Sequence, residues 1–376
     1  MANKVPLLDI KAQQAPILDE MRKAIDGVLE SQQYILGPAV LSFEKAVATY
    51  LGLPGAVGVA NGSDAIVLAL QARDVKAGDD VVTTPFTFFA TAGAISRLGA
   101  RAVFADVDET TFNLDAKAAV AAITSRTKAI LPVHLFGRCA EVEPLVAAAK
   151  PKGIFVLEDA AQSIGAKRKG KMAGQLADGA TYSFFPSKNL GGVGDGGLVA
   201  GNDVAWMERI RKLRVHGGAK TYFHEEVGMN SRLDAIQAAV LEVKLKRLDA
   251  WTDARRANAA KYREMLKDVS EIVLPSDDPD GRHIYNQFTI LADGRDALKE
   301  HLTAEGIGNA IYYPLCLHQQ KCFESWGYKQ GQFPIAEKCA ARALSIPIYG
   351  ELSAAQVEQV ASAIRSFYRG TAKKAG

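Results

Sequence analysis

Apolar positions follow two rhythms along this chain. Short runs that are apolar at nearly every position (VVTT at 81–84, AVFADV at 102–107, AILPV at 129–133, IFVLED at 154–159, YSFF at 182–185) alternate with segments such as DAIVLALQAR, EVEPLVAAAK and VAWMERIRKLR, where apolar residues recur every three or four positions. The first rhythm predicts strands buried on both faces, and the second predicts helices that cover them. Strand and helix taking turns predict an α/β fold: a large, mostly parallel mixed sheet flanked by helices. From about residue 233 the texture changes. DAIQAAVLEVKLKRLDAWTDARRANAAKYREML predicts one long helix or two in tandem, and the polar SDDPDGR turn then opens a new unit. The remainder, with YNQFTILAD, ALKEHLTAEGIG, AIYYP and QVEQVASAIRSFY, predicts a small C-terminal α+β domain. The division is placed near residue 250. It gives a large domain over 1–250, with an N-terminal helical segment, and a small one over 251–376.

Composition narrows the function classes. With 376 residues, 48% of them hydrophobic, the chain can bury one large core and a smaller one. Its 45 lysines and arginines against 42 aspartates and glutamates are scattered, which argues against a nucleic-acid partner. No apolar run approaches the roughly 18 residues of a membrane span and the start lacks a signal-peptide pattern, so a cytoplasmic protein with no membrane partner is expected. Cysteines 139, 316, 322 and 339 are too few for a disulfide framework in so long a chain. Cys316, His318 and Cys322 lack an evident fourth ligand, so no metal is expected.

Ligands of open α/β sheets sit beyond the carboxyl ends of the strands. IFVLED ends in Glu158 and Asp159 and leads to Gln162 and Ser163; AILPV leads to His134; YSFF leads through Ser187 to Lys188, which stands before the glycine-dense NLGGVGDGG. A lone lysine beside such a turn is ordinarily solvated. A lysine, an aspartate on a neighbouring strand end and a helix N-terminus together make a set suited to pyridoxal phosphate. That cofactor needs an amine, a carboxylate for its ring nitrogen and donors for its phosphate. VANGSDAIVLAL supplies a helix start, with Ser63 or Asp64 as the expected N-cap.

The ordered segments QQYILGPAVLSFEKAVATYLG, ANGSDAIVLAL, FTFFATAGAI, VFADVDETTFNLD, TKAILPVHLFG, EDAAQSIGA, SFFPSKNLGGVGDGG, GMNSRLDAIQAAVLEVKL, IYYPLCLHQQ and SIPIYGELS resemble the nucleotide-sugar aminotransferases of the DegT group, fold-type I pyridoxal-phosphate enzymes. The resemblance runs from about residue 5 to 365. It implies that Lys188 holds the cofactor covalently and moves the proton, that Asp159 pairs with the pyridine nitrogen, and that Gln162 lies near the 3-oxygen. Gly62, Ser63 and Ser183 match phosphate-side positions, and Phe88 matches the ring stacked on the cofactor. Asn230 matches an asparagine that reaches the phosphate from the partner subunit of a homodimer. Tyr312, Tyr313 and His318 fall where relatives contact the sugar nucleotide, and Tyr34 and Gly37 border the same pocket.

The resemblance further implies L-glutamate as amino donor, 2-oxoglutarate as its product, pyridoxamine phosphate as the loaded form of the cofactor, and a nucleotide-linked keto sugar as acceptor. Relatives with histidine at the position of Lys188 resemble dehydratases, so the lysine favours transamination. GMNSRLDAIQAAVLEVKL looks most like relatives acting on 3-keto sugars. The alternatives are 4-keto sugars, inososes, and a non-catalytic regulatory protein of the same fold.

Overall fold

The computed structural model describes residues 4–218, 220, 222–279 and 281–375, the side chains of 371–375 excepted. Thirteen strands follow in chain order: β1 (Gly55–Val59), β2 (Asp80–Thr83), β3 (Arg101–Phe104), β4 (Thr127–Leu131), β5 (Phe155–Asp159), β6 (Lys167–Arg168), β7 (Lys171–Met172), β8 (Gly179–Ser183), β9 (Gly197–Gly201), β10 (Ile272–Val273), β11 (Gly281–Arg282), β12 (Phe288–Ala292) and β13 (Ala343–Ile346). Seven of them form the large sheet, in the order β1-β9-β8-β5-β4-β2-β3. The β3-β2-β4-β5-β8 neighbours are parallel, while β9 is antiparallel to both β8 and β1. β1 therefore runs with the parallel strands, and all six of those carboxyl ends share one edge.

Both faces of the sheet are buried, as the near-continuous apolar runs require. Along β5, Phe155 and Leu157 enter one core cluster and Val156 another; Val81 and Val82 of β2 divide the same way, as do Leu131 and Ile130 of β4. This period of two also separates the last two residues of β5, setting Glu158 and Asp159 on opposite faces.

The apolar pattern after residue 233 is two helices, Ala235–Leu245 and Leu248–Leu266. The second joins the helices Arg295–Ala304 and Ala354–Ala375 around the antiparallel β10-β12-β13 sheet. Core membership crosses residue 250 in both directions. Val5 packs in the core of this smaller unit, whereas Cys316, Leu317, Phe323 and Phe333 pack in a core of the large sheet. Among the described residues no helix is long and apolar enough to cross a membrane.

Candidate active site

The shared edge of carboxyl ends gathers the chemistry. Asp159 closes β5 and is buried. Its Oδ2 accepts a 2.9 Å hydrogen bond from the Thr91 hydroxyl, and its Oδ1 accepts the Ala161 amide at 3.2 Å. Burial pushes the carboxyl above its ordinary range, opposed first by Thr91, then by Ala161 and by the positive charge of Lys188. Lys188 lies just past the adjacent strand β8. The turn that carries it is closed by its own amide donating to the Phe185 carbonyl at 2.9 Å and by Gly192 donating to Phe184 at 2.8 Å. Burial lowers the Lys188 amine from 10.5 to about 8, against the pull of Asp159, so the neutral amine is within reach near physiological pH.

A third part is the start of the helix Gly62–Gln71, which follows β1 directly. The N-cap is Asn61, in place of the expected Ser63 or Asp64: its side chain accepts the Asp64 amide at 2.8 Å, and its carbonyl takes the first helical bond from Ala65 at 3.1 Å. The asparagine wins because its short carboxamide sits in extended backbone one residue before the helix, where a cap must be. The amides of Gly62 and Ser63 thus head the helix, where intrahelical acceptors do not exist. A Cβ on Gly62 would meet the Cβ of Ser183 at 2.7 Å, so only glycine lets the helix head and the end of β8 come together.

Gln162 is held from both sides. Its Oε1 accepts the Phe136 amide at 2.7 Å and its Nε2 donates to the Tyr313 hydroxyl at 3.0 Å. The Tyr313 ring is 6.2 Å from that of Phe88 and 5.8 Å from that of Tyr312. Phe88 stays exposed at the edge, which a ring serving only the core would not.

Other candidates are placed differently. Glu158 and His134 are wholly buried and paired with each other at 2.8 Å, on the face away from Asp159. Glu158 also accepts the amides of Gly174, Leu176 and Ala177, while His134 Nδ1 accepts the Ala140 amide, leaving the imidazole proton on Nε2 to donate to Glu158. The pair is a closed structural knot. His318 is also buried, bonded to Glu337 at 3.1 Å, its ring against Phe333 and Phe104 in an aromatic cluster. Tyr34 is exposed and accepts the Ala235 amide through its carbonyl; Gly37 caps the helix Pro38–Leu51. Asn230 is exposed, in an isolated antiparallel bridge with Val215. Cys316 is buried and Cys322 exposed, and among the described residues no three His, Cys, Asp or Glu side chains converge as a metal site. Thr91 was not singled out from the sequence; its position in the first turn of a helix after β2 carries no signal without its partner 68 residues away.

The donor set fits pyridoxal phosphate. A buried carboxylate, a burial-weakened amine, an exposed aromatic ring and a glycine-bounded helix head with a serine hydroxyl lie on one edge of one sheet. Comparison with known proteins agrees. Residues 16–365 match the DegT/DnrJ/EryC1/StrS aminotransferase family. A "pleiotropic regulatory protein" of Geobacillus stearothermophilus is 49% identical, over 97% of this chain and 99% of that one. The UDP-N-acetyl-3-dehydro-alpha-D-glucosamine 3-aminotransferase of Acidithiobacillus ferrooxidans is 42% identical, over 97% and 98%. The crystal structure of S. venezuelae DesV in complex with a ketimine intermediate superposes with a TM-score of 0.95 at 40% identity, covering 97% of this chain and 98% of that one. This chain belongs to the DegT/DnrJ/EryC1/StrS aminotransferase family, enzymes that work with pyridoxal phosphate.

Proposed function

We propose that this enzyme moves the amino group of L-glutamate onto C3 of a nucleotide-linked 3-keto sugar, acting as a cytoplasmic homodimer whose sites are shared between subunits. The observation that carries the reading is the meeting of Lys188 and Asp159 beside the helix head at Gly62, each from a different strand end. The 3-keto preference is supported by the name of the Acidithiobacillus relative and by the motif around Asn230.

Bound pyridoxal phosphate supplies a carbonyl and an electron-accepting ring through which an amino group is taken from a donor and given to a ketone. Lys188 would hold it, and the Lys188 Nζ would take the proton from the α-carbon of the donor and return one to C3 of the sugar. Asp159 keeps the ring nitrogen protonated. The amides of Gly62 and Ser63, with the Ser183 hydroxyl, hold the phosphate, and Asn230 reaches it from the partner subunit. Gln162 orients the 3-oxygen, and Phe88, Tyr312 and Tyr313 wall the site from water.

A panel of nucleotide-linked 3-keto and 4-keto sugars and inososes, incubated with enzyme and glutamate, tests this; product mass and the aminated carbon are read by mass spectrometry and NMR. Amination at C3 is expected, together with loss of turnover in Lys188→Ala. Product from 4-keto sugars alone removes the C3 assignment, and product from inososes alone removes the nucleotide. The regulatory name of the Geobacillus relative supports a second reading, a non-catalytic protein of this fold. Bleaching of the bound cofactor's colour on adding glutamate decides against it.

A further inference from the structure

The helix Ala235–Leu245 carries two polar side chains where an apolar face would serve packing better. Gln237 and Lys244 are seven residues apart, two turns on one face. Both point at the glycine-dense return of the Lys188 loop. Gln237 Oε1 accepts the Val193 amide at 2.8 Å, and Lys244 Nζ donates to the Gly191 carbonyl. The loop lies close on these groups because glycines flank Val193: a Cβ on Gly192 or Gly194 would come within 2.6 or 2.8 Å of the Gln237 carboxamide. Gly191 in turn rests on the peptide between Pro186 and Ser187, since a Cβ on it would meet the Pro186 carbonyl oxygen at 2.3 Å. A direct chain of contact thus runs from Lys244 through Gly191 to Pro186, two residues from Lys188.

We propose that Lys244 and Gln237 are positioning residues for Lys188, fastening the return loop from below so that its apex holds the amine at the strand ends. The inference rests on the reading of Lys188 as the cofactor-bearing lysine.

Two further observations support it. Lys244 is wholly buried, and burial is the one cause that lowers its amine to about 8; no acid faces it strongly enough to offset the charge. A buried, uncompensated ammonium costs stability, which a methionine of similar shape would not. The helix also touches other parts of the site through its leader: the Ser231 hydroxyl accepts the Ala60 amide at 3.2 Å, just before Gly62, and the Ala235 amide holds the Tyr34 carbonyl.

Lys244→Met, Lys244→Gln and Gln237→Leu separate this role from packing. In cofactor-free protein, Lys244→Met is expected to melt at the wild-type temperature or above it. Its dissociation constant for pyridoxal phosphate rises about tenfold, the scale of one lost hydrogen bond from a charged donor, and formation of the borohydride-reducible linkage at Lys188 slows to match. Lys244→Gln, a neutral donor, recovers part of both, and Gln237→Leu shows the same binding defect. Gln237→Leu and Lys244→Gln decide the matter if the methionine variant fails to fold. Unchanged affinity and attachment rate, or a loss of melting temperature alone, overturns the positioning role. Peptide mapping of the reduced wild-type adduct keeps the two readings apart: a label on another lysine sinks the assignment of Lys188, whereas a label on Lys188 with unmoved variants sinks this inference only.

Discussion

The role proposed for Asp159 needs an anion in a place where burial favours the neutral acid, and the two donors that oppose burial most directly are the Thr91 hydroxyl and the Ala161 amide. Thr91→Val keeps the shape and removes one of them. Hydrogen bonds to charged groups contribute about 1.5–3 kcal/mol, so turnover should fall roughly ten- to a hundredfold while the carboxyl titrates higher. Steady-state rates and isotope-edited infrared titration of the carboxyl check this; an unmoved titration would mean that the Thr91 hydroxyl does not hold the carboxyl down. Lys188 has the opposite problem. Its amine sits near 8 in the folded chain and 10.5 in the unfolded one, so between those values the unfolded state binds more protons and stability rises with pH. Below pH 8 the folded state carries the full cost of the buried charge. Cofactor-free Lys188→Met should therefore be more stable than wild type at pH 7, with the gap closing towards pH 10.5. Urea melts at the two ends of that range measure it, and a gap independent of pH would contradict the burial of the amine.

At the scale of elements, what the sequence disclosed depended on where the partners lie. β2, β4 and β5 are legible because valine, isoleucine and leucine fill both of their faces. β1 (GAVGV) and β9 (GLVAG) are not, since glycine replaces the alternation. The glycines of β9, and Gly179 beside them, have a spatial cause. A Cβ on Gly201 or on Gly179 of β8 would enter the Trp206 ring at 2.7 or 2.4 Å, and one on Gly197 would meet the Asn61 carbonyl carbon at 2.3 Å. Strand ends and motif single out Asp159 and Lys188 as candidates. They do not single out Thr91, Gln237 or Lys244, because each acts on a residue distant in the chain. Gly62 belongs to the same class of close approach, and its φ does not demand glycine. Gly62→Ala must push the helix head from Ser183, a strain of about 1–3 kcal/mol by the usual cost of overpacking. The variant should fold, bind pyridoxal phosphate at least tenfold more weakly and still bind phosphate-free pyridoxal as wild type does. Parallel binding isotherms distinguish a phosphate-cradle defect, which spares pyridoxal, from a general one.

The whole molecule presents apolar side chains in the segments that border the site: Tyr34, Ile35 and Leu41 before it, Phe88 and Phe89 beside it, Phe185 and Val193 on the Lys188 loop, and Phe223 and Val227 ahead of Asn230. In the proposed homodimer a second copy of the chain would cover them. Asn230 points the same way, exposed and bound locally by a single backbone bridge. If each site takes Lys188 from one subunit and Asn230 from the other, two dead enzymes should cure each other. Lys188→Ala removes the amine, and Asn230→Asp sets a negative charge against the phosphate; each homodimer should be inactive. In a mixed dimer, one site has lost both groups, while the other combines the intact Lys188 of the aspartate variant with the intact Asn230 of the alanine variant. Random exchange makes half the dimers mixed with one good site each, so an equimolar mixture should regain about a quarter of wild-type activity after unfolding and refolding together. Mixing without subunit exchange gives the control. No recovery, with mixed dimers verified by mass spectrometry, would mean that both groups serve the same subunit's site, and the shared-site arrangement would have to be abandoned although the chemistry of Lys188 and Asp159 would stand.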